Sequence, residues 1–371
     1  MRKVWAVALK ELRQVRRDPF SLIMLLGIPT FMLLLYGYAL NFDVRHVRLA
    51  VQDRSRSAAS RELVAAFVNS TYFDLVGDAP PGTDLTRLAE RRVARAIMVI
   101  PESYATDLAA GRAAKVQLLL DGSDANTAST ILAYASSLVA DLDVTLVQAA
   151  AGRGGTPAID YRPRVFYNPE LKSTRFLVPG LIGFILMLTA VLSTALSVVR
   201  EKERGTMEQI RVTSLRPDQL ILGKTLPYLG FSLLATISIL VAARLLFGVE
   251  VKGPYLDLSL ATLAYLLGAL GFGLLVSSFS NTQAMAFQVG TVTTMLPSIF
   301  LSGFIFPIRS MPVPLQWITY AVPARYFLVV LRGIILKGSG LAPYWHDMVF
   351  LLLYAVVVLG IAYTRLVRRE G

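Results

Sequence analysis

The sequence predicts an α-helical polytopic membrane protein with six transmembrane helices and an inserted α/β extracytoplasmic domain. Three observations predict it. Of 371 residues, 54% are hydrophobic and only 17% charged, below the roughly one quarter usual in soluble domains; mean hydropathy is +0.56. Six apolar runs, at 20–40, 176–199, 225–247, 258–279, 284–306 and 348–364, are long enough to cross a bilayer as helices. The one long polar stretch, 41–175, is nearly neutral, with sixteen Lys/Arg against fifteen acids.

The net charge of +12 therefore lies in short segments beside the apolar runs. Residues 1–19 carry six Lys/Arg against two acids, 200–224 six against four, and 365–371 three against one. This is positive-inside asymmetry and not a nucleic-acid surface. Six spans put both termini on one side, and these segments assign that side to the cytoplasm, leaving 41–175 outside.

Within 1–19, Val4, Ala8, Leu12 and Val15 fall on one helical face, with Lys10, Arg13, Arg16 and Arg17 mostly elsewhere. The pattern predicts an amphipathic interfacial helix on the inner leaflet, its cations toward anionic headgroups of the lipid membrane. Asp18 and Pro19 supply an N-cap and a first-turn proline for the span at 20–40. That run is longer than a signal core, and no small-x-small cleavage site follows Leu40, so it reads as an uncleaved anchor.

Across 41–175, strand-like runs at 48–52, 72–76, 96–100, 116–120 and 164–167 alternate with helix-like stretches at 61–69, 85–92, 104–110 and 127–150. Such alternation predicts a small α/β domain, with a flexible loop at 152–157. The remainder, 176–371, is a five-helix transmembrane region with a cytoplasmic loop at 200–224 and an outer segment at 307–340. In that outer segment Trp317, Tyr320 and Tyr326 accompany Arg325 and Arg332, broken by Pro312, Pro314 and Pro323. The mixture predicts short helices dipping into the outer leaflet where neighbouring helices cover their backbone.

Several functional classes are excluded. Without cysteine there are no disulfides or thiolate metal sites. His46 and His346 are too few for a histidine-rich metal centre. No phosphate-binding loop, zinc-protease or serine-hydrolase motif occurs, so the chain is expected to be no enzyme. Gly268, Gly271 and Gly273 lie inside an apolar span and read as helix packing. The 121–126 segment misses the acid spacing of a calcium loop and reads as a capped turn. Two polar lines run within the spans: Gly180, Gly183, Thr189, Ser193 and Ser197 in the second, and Gln288, Thr291, Thr294, Ser298 and Ser302 in the fifth. Polar groups in lipid must face protein or a water-filled path. Both spans are thus candidates for a transport pathway or a subunit interface, with plain hydroxyl-mediated packing as the alternative.

Directly behind the second run sits a dense charged loop containing Glu201-x-Glu203-x-Gly205-Thr206-Met207-Glu208-Gln209, then Val212-Thr213 and Pro217. Nothing in it suits chemistry, so it reads as a docking surface. It resembles the coupling-helix region of the membrane subunits of type-2 ABC exporters. Residues 301–307 with Met311 and Pro312 resemble that family's fifth span entering its outer re-entrant segment. Ala321, Pro323, Arg325 and Tyr326 through Arg332 and Gly333 resemble the approach to its sixth span, and the large insert after the first span resembles the multidrug-type bacterial branch.

The resemblance implies a permease in the bacterial cytoplasmic membrane, working as a dimer with a second permease subunit, identical or paralogous. It implies a separate ABC ATPase subunit that binds ATP and Mg, with no cofactor on this chain, and leaves room for a periplasmic adaptor on the outer domain. Glu201, Glu203, Gly205, Thr206, Met207, Glu208 and Arg211 become the expected ATPase-coupling set, the carboxylates meeting basic residues of the partner. Pro307, Pro323, Arg325 and Arg332 become the outer re-entrant set. The expected activity is export of an amphiphilic or hydrophobic small molecule by alternating access. A membrane-anchored sensor using the outer domain is the alternative from another class, though it needs fewer spans. An ion-coupled carrier is disfavoured because no acid lies within a span.

Overall fold

The chain divides by its internal contacts into two structural units, Met1–Asn41 with Glu170–Gly371, and Phe42–Pro169. The computed structural model describes residues 2–39, 46–80, 82–85, 88, 93–120, 125–151, 172–206 and 216–368.

The first unit opens with α1 (Arg2–Arg17) and α2 (Pro19–Leu22), which runs through a π-helical turn (Ile23–Gly27) into α3 (Ile28–Ala39). The widened turn has a local cause. Pro29 lacks an N–H and its ring crowds the carbonyl four residues back. Just before it, the Ile28 N–H reaches back five residues, to the Ile23 carbonyl. The predicted span at 20–40 is thus helical over its described residues, 20–39, but its apolar helix, Ile23–Ala39, is the shortest of the predicted spans.

Among the described residues, five helices are long and apolar enough to cross a membrane. They are α7 (Ser173–Glu203), α8 (Pro217–Phe247), α9 (Tyr255–Phe279), α10 (Gln283–Leu296) with its π-helical continuation to Leu301, and α13 (Trp345–Arg368) with the 3-10 turn before it. The apolar stretch of α7 is buried on most sides, with Thr189, Leu192, Ser193, Leu196 and Ser197 half-buried along one line. It packs against α3, α8, α9 and α10. Close approach depends on glycine: a Cβ on Gly180 would lie 2.1 Å from the Phe304 ring. The glycines of α9 do pack helices, Gly268 against Tyr354, Gly271 against Leu359, and Gly273 against the Val191 carbonyl of α7. On α8 the row Leu234, Ile237, Val241 and Leu245 stays exposed, the apolar face that lipid would cover.

After α10, α11 (Val313–Thr319) and α12 (Pro323–Arg332), the latter extended by a π turn to Lys337, form a pair bent by 80°. The bend falls where it should, since a residue before proline is pushed out of the helical region; Val322 is extended at φ −96°, ψ 109°.

Among its described residues the second unit holds a four-stranded sheet in the order β2-β1-β3-β4. Its strands are β1 (Val47–Asp53), β2 (Phe73–Asp78), β3 (Ala96–Ile100) and β4 (Gln117–Leu120). β1 pairs in parallel with β2 and β3, and β4 runs antiparallel to β3. Helices α4 (Ala58–Asn69), α5 (Tyr104–Ala109) and α6 (Ala125–Ala151) complete the described part. Period-2 alternation sends Val47, Leu49 and Val51 into a core with Leu63, Phe67, Ile131 and Tyr134, while Ala50 joins Ala94 and Ile97 on the other face. α4 begins three residues before the predicted 61 because Ser57 and Ser60 close a reciprocal capping box. The strand predicted at 164–167, the loop at 152–157 and most of the helix predicted at 85–92 lie outside the described residues, as do residues 121–124 of the predicted turn.

Candidate functional site

A cleft of about 290 Å3 opens between the first apolar helix, α7 and α10. Val15, Met24, Leu25, Ile28, Met32, Leu188, Leu192, Leu196 and Phe287 give it apolar walls, and Gln14, Arg200 and Tyr228 add polar groups. Thr189, Ser193 and Ser197 line it from α7, one helical turn apart, and Thr291 faces them from α10. Thr189 and Ser193 donate to the carbonyls of Ile185 and Ala190 at 2.8 and 2.9 Å, which leaves their lone pairs toward the cleft. The Thr291 hydroxyl has no hydrogen-bond partner among the described residues.

The polar line predicted on the fifth span therefore divides. Gln288 is exposed and Thr291 enters the cleft, whereas Thr294, Ser298 and Ser302 are buried. Ser302 donates to the Ser298 carbonyl and accepts from the Phe304 N–H, so the C-terminal part of the line serves local packing and the turn after the π segment. One straight stripe meets different neighbours along its length.

Next to the cleft, at the C-terminal end of α7, lies a cluster that no local pattern in the sequence marks. Lys224 of α8 lies 2.9 Å from Glu11 of α1 and 2.7 Å from Glu201 of α7, and Lys10 also pairs with Glu201. Ser197 and Tyr228 donate to Glu11 at 3.2 and 3.4 Å. Lys224, Glu11 and Glu201 are buried, and two cations balance two acids. Burial alone would raise the Glu11 carboxyl, but Lys224, then Lys10 and Ser197, hold it below the usual carboxylate range. For Lys10, burial opposes the charge, yet Glu201 and Glu11 leave the amine above its ordinary value.

This cluster corrects two expectations. The buried face of α1 is Ala8, Glu11 and Val15 with Val4 half-buried, while Leu12 is 43% exposed. At 100° per residue Glu11 falls beside position 4, about 20° outside the arc that positions 4, 15 and 8 span, and its carboxylate is tolerated there because Lys224 neutralises it. Glu201, expected to offer a carboxylate to a partner, is instead 4% exposed and engaged inside the chain.

Glu203 is engaged as well. It is exposed, but its carboxylate accepts from the Gln283 backbone N–H at 2.6 Å and from the Gln283 side chain. Lys202 donates to the carbonyls of Ser277 and Ser280, and Arg200 reaches Asp18 at 3.5 Å and Gln283 at 3.4 Å. Gly205 has φ +69°, a left-handed turn at the end of α7 that a side chain would strain. Thr206 donates to the Glu201 carbonyl at 3.2 Å. Met207, Glu208 and Arg211 lie outside the described residues.

The outer set holds the bent pair together. Arg332 forks onto the carbonyls of Gly303 and Phe304 at 3.0 and 3.2 Å, and its guanidinium lies 3.8 Å over the Phe176 ring. Arg325 donates to Thr319 and stacks 3.9 Å over Tyr320. Pro307 precedes the 3-10 turn Ile308–Ser310, and Pro323 starts α12. Among the described residues no cluster of His, Cys, Asp or Glu is placed to hold a metal ion.

Comparison with known proteins agrees with this architecture. The profile of the ABC-2 family transporter protein matches residues 19–364. The chain is 33% identical to the probable multidrug ABC transporter permease YbhS of Escherichia coli K12, over 99% of this chain and 97% of that one. It is 28% identical to the probable multidrug ABC transporter permease YbhR of the same organism, over 99% of each. It is 23% identical to its inner membrane transport permease YhhJ, over 96% of this chain and 94% of the relative. A match through nearly every apolar helix, joined to a helical unit of membrane-crossing length, establishes that the chain belongs to the ABC-2 transporter family and is a multi-pass membrane permease.

Proposed function

We propose that this permease is the membrane-spanning part of an ATP-driven exporter that moves an amphiphilic or hydrophobic small molecule, drug-like or lipid-like, out of the cytoplasm. The observation that carries the reading is the cleft between the first apolar helix, α7 and α10. Small-molecule sites combine apolar walls with a few convergent polar groups, and here Met, Leu and Ile side chains surround the hydroxyls of Thr189, Ser193, Ser197 and Thr291. The unpartnered Thr291 hydroxyl leaves a hydrogen bond for a ligand to make. Two relatives bear the word multidrug in their names, which favours this substrate class.

In this reading ATP and Mg2+ are bound by a partner ATPase and not by this chain. The partner meets the loop after Gly205, with Met207, Glu208 and Arg211 the groups offered to it. A second permease subunit completes the pathway across α7 and α10. Both termini are cytoplasmic in the bacterial inner membrane, and 41–175 lies outside, where an adaptor protein docks. Transport follows from alternating access if the ligand binds the inward- and outward-facing states with different affinity.

The test is efflux. Cells expressing the chain with its ATPase should expel a lipophilic dye, and Thr189→Leu with Thr291→Leu, which narrow the cleft, should slow efflux several-fold at unchanged expression. Unaltered efflux in the double variant would remove the cleft from the route.

A further inference from the structure

Consecutive residues at the foot of α7 grip both sides of one turn. α9 ends at Phe279 and α10 begins at Gln283. Lys202 donates to the carbonyls of Ser277 and Ser280 at the end of α9, and Glu203 accepts from the backbone and side chain of Gln283 at the start of α10. The charges match the helix ends they meet. Unpaired carbonyls and the negative end of the dipole attract an ammonium, and unpaired N–H groups with the positive end attract a carboxylate. Adjacent helical positions point about 100° apart, which lets neighbouring side chains straddle the turn.

From this geometry we propose that Glu203 is a positioning residue, which makes the start of α10 move with the foot of α7. The inference rests on the reading of the chain as a permease driven by a partner ATPase. Glu203 lies three residues before Thr206, where the loop assigned to that partner begins. A displacement of the loop then reaches α10 through one carboxylate as well as through helix packing. Gln283 and Thr291 are eight residues apart on that helix, about 12 Å at 1.5 Å per residue. The same push therefore arrives at the hydroxyl that lines the cleft. Acids that read in sequence as contacts to another protein act, on this account, within the chain.

Spin labels test this without knowledge of the transported molecule. Nitroxides at Ile23→Cys and Met285→Cys, both exposed positions in a cysteine-free chain, report the distance between the first apolar helix and α10. The full complex with the co-purified ATPase is reconstituted in nanodiscs. Trapping with ATP and vanadate should shift the distance distribution. Glu203→Ala should keep the ATPase bound and hydrolysing within about twofold, at an unchanged melting temperature, while losing at least half of the shift. Glu203→Gln, which keeps an acceptor for the Gln283 N–H, should retain it. A full shift in Glu203→Ala overturns the inference. Loss of the ATPase from the Glu203→Ala complex overturns it in favour of direct docking. A wild-type complex that shows no nucleotide-dependent shift defeats the underlying reading and the inference with it.

Discussion

Lys224 and Glu11 stand 213 positions apart in the chain, yet their side chains meet at 2.9 Å, 2% and 1% exposed. Glu201 joins them from α7, so one lysine ties the N-terminal helix to the feet of two membrane helices. Gly223 beside it lets α1 close in; a Cβ there would lie 2.6 Å from that of Val7.

Removing one partner of a buried ion pair leaves an uncompensated charge and costs about 3–5 kcal/mol, whereas replacing both is often nearly neutral. Lys224→Met should therefore lower the apparent melting temperature in detergent by several degrees. Adding Glu11→Gln, which leaves Lys10 with Glu201, should recover more than half of the loss. Additive losses in the double variant would mean that the two residues are not coupled.

The same cluster sets a pH window. Glu11 titrates below its ordinary value of 4.5, so its contribution is complete above that pH and fades as pH falls through the lower folded value. Lys10 titrates above 10.5, so its contribution is complete below that pH and fades as pH rises through the higher folded value. A nitroxide at Ala6→Cys should report an immobile α1 between about pH 5 and 10, with mobility rising outside that range. Rising mobility between pH 6 and 9 would contradict the assignment.

Gly180 has no room to grow. Gly180→Ala places a methyl 2.1 Å from the Phe304 ring, and overpacking of this kind costs about 1–3 kcal/mol. Gly180→Ala with Phe304→Leu should melt closer to wild type than Gly180→Ala alone; a double variant no more stable than the single would place the strain elsewhere.

Arg332 closes the turn after α10 by donating to two carbonyls. Arg332→Lys keeps the charge but loses the fork, so it should protect residues 303–306 from hydrogen exchange little better than Arg332→Ala. Wild-type protection in the lysine variant would reduce the contact to simple charge.

Local pattern made much of this architecture readable. β3 covers 96–100 as its short apolar run predicts, and four of five strand-like runs are strands; the fifth lies outside the described residues. Proline and glycine marked the bend at Pro323 and the left-handed turn at Gly205. What local pattern could not supply was pairing across the chain. Leu12 suits an apolar face better than Glu11 does, and only Lys224, far along the sequence, reverses that choice. Glu201 and Glu203 read as acids free to meet another protein because their partners, Lys224 and Gln283, sit in other helices. The polar line of the fifth span was visible, but its division between cleft and packing depends on which helix lies beside each hydroxyl.

The central claim is that the cleft holding Thr291 changes its exposure as ATP is used. A single cysteine at Thr291, labelled in membranes with a water-soluble maleimide, measures this most directly. The complex with its ATPase should label at rates at least several-fold apart with and without ATP and vanadate. Equal rates in the two states would contradict the account.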